Sequence, residues 1–170
     1  MRYSTVAVAA ALSLMTVSAS LHSQPAATQI DPRSMALLAK GRAAQAAGNF
    51  DAATDALETA LAIDPRNRDA FVTLGQVAQT TGLPGKAIRL YREALLLEPD
   101  DLVALKGQGE AYVAKGAVAR AKDNLTKIRS LCGKTAACPD GVTLAATITK
   151  GPPLATASAE PALAKMPAKE

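Results

Sequence analysis

The residue types on which most enzymes rely are scarce in this sequence. Its 170 residues include one histidine, two cysteines and no tryptophan, and aromatic residues make up only 3% of the total. Because the one histidine, His22, lies near the amino terminus, the rest of the chain offers no histidine-based triad, general base or metal cluster. The haem-attachment pattern Cys-x-x-Cys-His is also absent, and no phosphate-binding loop is expected, because the glycines follow a regular repeat and not the spacing of such loops. We therefore expect no enzyme activity, metal, cofactor or small-molecule substrate.

An excess of charge of one sign is also lacking. The formal net charge is +4, and basic and acidic residues alternate over most of the chain. No basic stripe suited to nucleic acid is present, so we expect no nucleic-acid partner. The densest basic stretch runs from Arg120 to Lys134 and is interpreted as a solvated helix face. Peripheral contact with an anionic membrane or cell-wall polymer is the alternative.

What the sequence does contain is a repeat of 34 residues. Residues that are 34 positions apart occupy equivalent positions of the repeat, here called a column. Small residues fill three such columns: Gly41, Gly75 and Gly109; Gly48, Gly82 and Gly116; Ala53, Ala87 and Ala121. The pairs Ala60 with Ala94 and Pro65 with Pro99 keep the same interval. A fixed period of this length is typical of stacked supersecondary units, each of which buries its apolar face on its neighbour.

Each unit is predicted to be two helices joined by a turn. Apolar or small residues fall three and four positions apart on either side of a central glycine, such as Gly48. That glycine ends the first helix, and small residues let the two helices approach closely. We expect Leu57, Tyr91 and Leu125 to fill the space between hairpins. Proline closes the first two units, and Pro84 is expected in the first turn of a helix.

This order of leucine, glycine, alanine, aromatic residue and proline closely resembles the tetratricopeptide repeat. The resemblance covers units 34–67, 68–101 and 102–135 and implies an all-α fold, an α-solenoid of about three helix-turn-helix units. The third unit departs from the pattern, with Ile128 where alanine is usual and Gly133 where proline is usual. Lys40 and Gln108 occupy a column that normally holds leucine.

The two ends of the chain differ from the repeats. Residues 1–24 combine Arg2, a short apolar run and small residues, which predicts a signal peptide, with an uncleaved anchor as the alternative. Residues 25–33 are interpreted as a leader, and 151–170 as a disordered Ala/Pro-rich tail, either a solvated terminus or a spacer. We expect the mature protein in the periplasm or outside the cell.

Two cysteines lie just after the third unit. Cys132 and Cys138 would pair in an oxidising compartment, since an exported chain with two nearby thiols favours a disulfide. The bond would fasten a last short helix within residues 136–150, which caps the array. A redox-active dithiol is the alternative, although the spacing is not Cys-x-x-Cys.

The resemblance also implies a partner-binding groove on the concave face, where first helices line up. Carried over position by position, the lining residues are Met35, Leu38, Arg42, Gln45, Asp69, Val72, Gln76, Gln79, Val103, Lys106, Glu110 and Val113. Relatives that grip a terminal carboxylate cluster lysine, arginine and asparagine in this groove. Here Arg42 and Lys106 are the only cations among the lining positions, which argues against such a carboxylate clamp.

Two classes of function follow from this resemblance. The first is a periplasmic interaction module that binds an extended peptide or a helix of a cell-envelope protein. The second is a structural or self-associating subunit of an envelope assembly for outer-membrane biogenesis, division or cytochrome maturation. An exposed apolar patch on the last helix would favour the second class.

Overall fold

The computed structural model describes residues 29–133 and 138–152, and these residues form seven α-helices and no strand. The helices are α1 (Pro32–Ala46), α2 (Phe50–Ile63), α3 (Arg68–Thr80), α4 (Pro84–Leu97), α5 (Leu102–Ala114), α6 (Val118–Cys132) and α7 (Pro139–Lys150). Successive pairs pack as hairpins, and each hairpin stacks on the next. The predicted all-α solenoid is therefore confirmed. The predicted signal peptide and most of the predicted tail lie outside the described residues.

Glycine ends the first helix of every hairpin. Gly48, Gly82 and Gly116 have φ angles of 74°, 73° and 75°, a left-handed conformation that other residues adopt only with strain. The second helix begins two residues after each of them. The repeat of this glycine therefore reflects one turn geometry used three times.

The amino-terminal ends of the first helices are held by the side chain of the residue just before each helix. Asp31, Asn67 and Asp101 each accept a hydrogen bond from a backbone N–H in the first turn of α1, α3 and α5. Pro84 and Pro139 occupy the first turns of α4 and α7, where a missing N–H donor costs nothing.

The core depends on large side chains that face glycines. A Cβ atom added to Gly41 would lie 2.5 Å from Leu57 Cγ, and one added to Gly75 would lie 2.8 Å from Tyr91. A Cβ at Gly107, in the next unit, would also collide with Tyr91. Leu57 and Tyr91 are buried. These two residues thus fill the spaces predicted for them, and Tyr91 connects two units.

The third unit differs from the first two in what faces its glycine. The three atoms nearest to a Cβ at Gly109 all belong to Leu144 of α7, because α7 packs against both α5 and α6 and inserts its own leucine there. Leu125 is buried with Leu105, Ile128 and Leu144 in a separate core cluster. It therefore packs between the third hairpin and α7, which agrees with the space expected for it.

The polar residues in the leucine column have two different explanations. Lys40 is exposed, since no helix packs on that side of the first unit within the described residues. Gln108 is buried, and its amide group bonds across to the neighbouring helices: Nε2 donates to the Ile88 carbonyl (3.4 Å), and Oε1 accepts from Asn124 (3.1 Å). A buried amide is tolerated here because both ends find partners.

The structure pairs Cys132 with Cys138, while the formation of this disulfide in the cell stays a prediction. Cys132 ends α6 and Cys138 precedes α7, and their Cα atoms lie 5.9 Å apart. This connection keeps the start of α7 close to the end of α6.

No helix among the described residues is long and apolar enough to cross a membrane.

Candidate functional site: the groove of the first helices

The first helices of the three hairpins form one side of the array. Helix α1 contacts α3, and α3 contacts α5, whereas the second helices α2, α4 and α6 do not contact one another. The first helices are therefore closer together and line the inner face. All the side chains predicted to line a groove belong to these three helices.

Three apolar positions of the predicted groove are not available to a partner. Leu38 is 1% exposed, and Val72 and Val113 are also buried. Leu38 packs in the core that the first two units share, and Val72 packs with Tyr91 and Ala104. The prediction that these three side chains line an accessible groove is wrong, because neighbouring helices already cover them. Met35 and Val103 remain accessible, at 45% and 39% exposure.

Polar side chains bridge α1 and α3 at one end of the groove. The Arg42 guanidinium lies 2.7 Å from the Asp69 carboxylate, and Arg68 pairs with the same carboxylate at 3.0 Å. Gln45 donates a hydrogen bond of 3.5 Å to Gln76. Asp69 is thus shared by two cations, one of which, Arg68, also pairs with Glu98 and Asp101.

A second polar set bridges α3 and α5. Gln79 accepts a hydrogen bond from the Tyr91 hydroxyl and donates one to the Gly107 carbonyl at 3.1 Å. Burial raises the pKa of Tyr91 far above its ordinary value, and the nearby charge of Glu110 acts in the same direction. The hydroxyl therefore stays neutral and can donate to Gln79. Through this bond the core residue Tyr91 fixes the orientation of a groove residue.

Glu110 is the least compensated charge in the groove. Desolvation raises its pKa, Lys106 and a hydrogen bond with Gln79 oppose this rise, and the negative charge of Asp140 adds to it. Lys106 is engaged elsewhere, because its Nζ atom lies 2.8 Å from Asp140 of α7. Glu110 has no ion pair of its own among the described residues.

Asp140 is a groove residue that the sequence analysis missed. It lies in the first turn of α7, beyond the three predicted repeats, although it stands 34 residues after the groove position Lys106. A usable signal existed: a helix that caps the array must begin beside α5, and a first-turn carboxylate there is well placed to meet Lys106.

Two further hollows lie outside the groove. One, of about 440 Å³, separates α2 from α3 and the start of α4, and its walls include Phe50, Leu74, Val77, Leu83 and the carboxylates of Asp51 and Asp55. The other, of about 230 Å³, lies on the outer side of α7 beside Val142, which is 68% exposed. The latter places an apolar patch on the last helix.

No group of three potential metal ligands occurs within residues 29–133 and 138–152.

Comparison with known proteins identifies the repeats. The family model "Tetratricopeptide repeat" matches residues 36–67 and 69–101, which are the first two units. No curated protein sequence matches the chain significantly. The third unit is not part of the family match and rests on its helices and its packing.

Solved structures resemble the described fold. An O-GlcNAc transferase mutant of Thermobaculum terrenum is 31% identical, with a TM-score of 0.56 over 61% of this chain, but the match spans only 20% of that protein. A MamA protein is 29% identical over 58% of this chain and 54% of its own, with a TM-score of 0.56. The Sgt2 TPR domain from Aspergillus fumigatus is 23% identical over 70% and 78% of the two chains, with a TM-score of 0.63, and supports the fold alone.

Proposed function

Because the chain carries tetratricopeptide repeats, we propose that it is a non-enzymatic protein-interaction module. It binds an extended peptide or a helix in the groove of α1, α3 and α5. The observation that carries this proposal is the groove itself: polar side chains at equivalent positions of three helices are held by cross-helix bonds, with Met35 and Val103 exposed beside them. Fixed polar groups with accessible apolar ones are what peptide recognition requires.

The solved relatives favour this class of function. The first repeat domain of Spaghetti (RPAP3) was solved with the HSP90 peptide SRMEEVD, and it is 18% identical over 69% of this chain with a TM-score of 0.63. The TPR2B domain of yeast Sti1 was solved in complex with an Hsp70 peptide. One relative is a transferase, but the match covers a fifth of it. Repeats fix a shape and leave the activity of attached domains open.

The cell envelope is the setting we propose for this interaction. The support is in the sequence: the amino-terminal pattern of a signal peptide and the pairing of Cys132 with Cys138 both fit an exported protein. The mature chain would act in the periplasm or outside the cell, on a protein or peptide partner. Any membrane contact would be peripheral.

Site-specific crosslinking tests the groove. A photoreactive residue replaces Gln76 in the middle of the groove, and a matched control replaces the exposed Thr59 on α2. We expect one enriched protein from the Gln76 position and none of it from Thr59, as measured by mass spectrometry of crosslinked envelope fractions. Equal capture from both positions, or capture from Thr59 alone, would argue against the groove.

A structural or self-associating role is the second candidate. The exposed Val142 and the apolar hollow around Cys138, Gly141 and Ala145 support it, because such a patch on a terminal helix is suited to a neighbouring subunit. Sedimentation over a hundredfold range of concentration distinguishes the two. If the wild type forms an oligomer and Val142→Lys dissociates it to monomers, this candidate is favoured. A monomer at all concentrations would exclude self-association.

A further inference from the structure

We propose that the groove selects segments that carry a lysine or arginine side chain, which pairs with Glu110. This inference rests on the proposed function, since it names the chemistry of the partner that the groove would bind. The evidence is the distribution of charge along the groove.

The two cations predicted to line the groove are each already paired with a carboxylate of the protein itself. Arg42 pairs with Asp69 at 2.7 Å, and Lys106 pairs with Asp140 at 2.8 Å. Both carboxylates come from the next first-type helix along the array, α3 for Arg42 and α7 for Lys106. An acidic ligand would therefore have to displace a bonded carboxylate to reach either cation.

Of the charged residues predicted to line the groove, Glu110 is the one that forms no ion pair within the described part of the chain. Its neighbours are the neutral Gln79, the engaged Lys106 and the like-charged Asp140. The carboxylate is partly desolvated, and desolvation raises its pKa, so its charge is poorly compensated in the free protein. A cation supplied by a ligand would correct this imbalance, and a ligand carboxylate would worsen it.

The accessible apolar side chains complete the description of the ligand. Met35 lies at the start of α1, and Val103 lies at the start of α5, the helix that also carries Glu110. A fitting segment therefore combines apolar residues with a basic one. Charged contacts fix which sequence binds, while apolar contacts supply most of the affinity.

Selection from a random peptide library tests the proposal. The purified full chain is immobilised, and random twelve-residue peptides displayed on phage are the probe. We expect lysine or arginine to be enriched at one position between apolar residues. Affinity for the selected peptides should fall about tenfold in Glu110→Gln, because the lost contact is a charged hydrogen bond. The matched control Glu93→Gln on α4 removes the same charge outside the groove and should change affinity less than about twofold.

The remaining outcomes separate this inference from the proposed function. Gln76→Trp fills the groove and should abolish binding if the groove is the site. The selected peptides could instead be acidic or uncharged, with an affinity that Gln76→Trp abolishes and Glu110→Gln leaves unchanged. This result would overturn the preference for basic segments and leave the proposed groove function standing. Peptides insensitive to both changes, or no selected peptides, would overturn both.

Discussion

The two junctions between neighbouring repeats use equivalent columns of the sequence but different chemistry. At the first junction the buried Ser34 hydroxyl accepts a hydrogen bond of 2.8 Å from Asn67, and it donates one to the Ala60 carbonyl. At the second junction the same two columns hold Arg68 and Asp101, an ion pair of 2.7 Å. A buried hydrogen bond between neutral groups at one junction and an ion pair at the other thus connect equivalent positions of neighbouring units.

The junctions also differ in how tightly they are filled. Leu57 is wedged against Gly41 of its own unit, whereas Tyr91 is wedged against Gly75 of its own unit and Gly107 of the next. The first junction retains the hollow of about 440 Å³ between α2 and α3. The comparison teaches that the repeat period constrains backbone spacing, while the side chains in each column decide how strongly neighbouring units are coupled.

Among the changes that test this difference between the junctions, removal of the Tyr91 ring should lower the free energy of unfolding most. Tyr91→Ala opens space beside two glycines and should cost about 3–5 kcal/mol in the free energy of unfolding. Leu57→Ala, with a cost of about 2–5 kcal/mol, should loosen the first unit and its contact with α3 but leave α5 unaffected. Denaturant titration measures the energies, and hydrogen exchange should show faster opening of α5 in Tyr91→Ala only. Exchange confined to α3 and α4 would contradict a coupling role for Tyr91.

The equivalent contacts should differ in their response to salt. Ser34→Ala leaves a buried amide hydrogen of Asn67 without its partner and should cost about 1–3 kcal/mol at any ionic strength. Arg68→Gln breaks the pairs with Asp69, Glu98 and Asp101, so its cost should shrink between 0.01 and 1 M NaCl, where the screening lengths are about 30 Å and about 3 Å. Denaturation at both salt concentrations measures this. Equal salt sensitivity would remove the proposed distinction.

Loss of the cysteine pair should leave both junctions intact. Replacement of Cys132 and Cys138 by serine should cost about 2 kcal/mol, because the closed loop is short. Faster hydrogen exchange should be limited to α7 and the end of α6. An effect that spreads to α3 or α4 would mean that the end of the array is coupled to the first junction.

The smallest expected effect is a difference in acid sensitivity. Asp64 of the first unit accepts hydrogen bonds from Arg66 and the Asp31 N–H, which lower its pKa from 3.8 to about 2. Because the folded-state pKa is lowered, the ionised group stabilises the fold above about pH 4, and this stabilisation is lost as the pH falls towards 2. Melting temperatures from pH 6 to 2 should fall less steeply for Asp64→Asn than for the wild type.

The matched control is Glu98, which occupies the same column in the second unit and is exposed beside Arg68. Glu98→Gln removes one exposed carboxylate and so controls for the loss of an acidic group as such. Parallel curves for Asp64→Asn and the wild type would contradict the role of Asp64.

The repeat columns were sufficient to predict the helices and their turns. A glycine that must take a positive φ angle leaves a local signal, and so does a proline in a first turn. Position on the inner helices was predicted correctly for Arg42 and Gln76, while their role in binding stays a prediction. Exposure was not predictable in this way: Leu38 and Val72 are buried by side chains of other helices, which a column does not record.

The end of the array was harder to predict because it departs from the period. The insertion of Leu144 beside Gly109 depends on the path of α7, which follows a short connection and has no equivalent in the first two units. The ion pair between Lys106 and Asp140 depends on the same path. Both features required the three-dimensional arrangement.

The place of Leu144 has a consequence for lengthening the protein by duplication. A copied 34-residue unit inserted between the first two hairpins would meet surfaces of its own kind on both sides. The same copy inserted after Cys132 would have to expel Leu144 from the space beside Gly109 and separate Asp140 from Lys106. Duplication of a unit, in evolution or in the laboratory, therefore preserves existing contacts when the copy lies within the array and disrupts them when it lies just before α7.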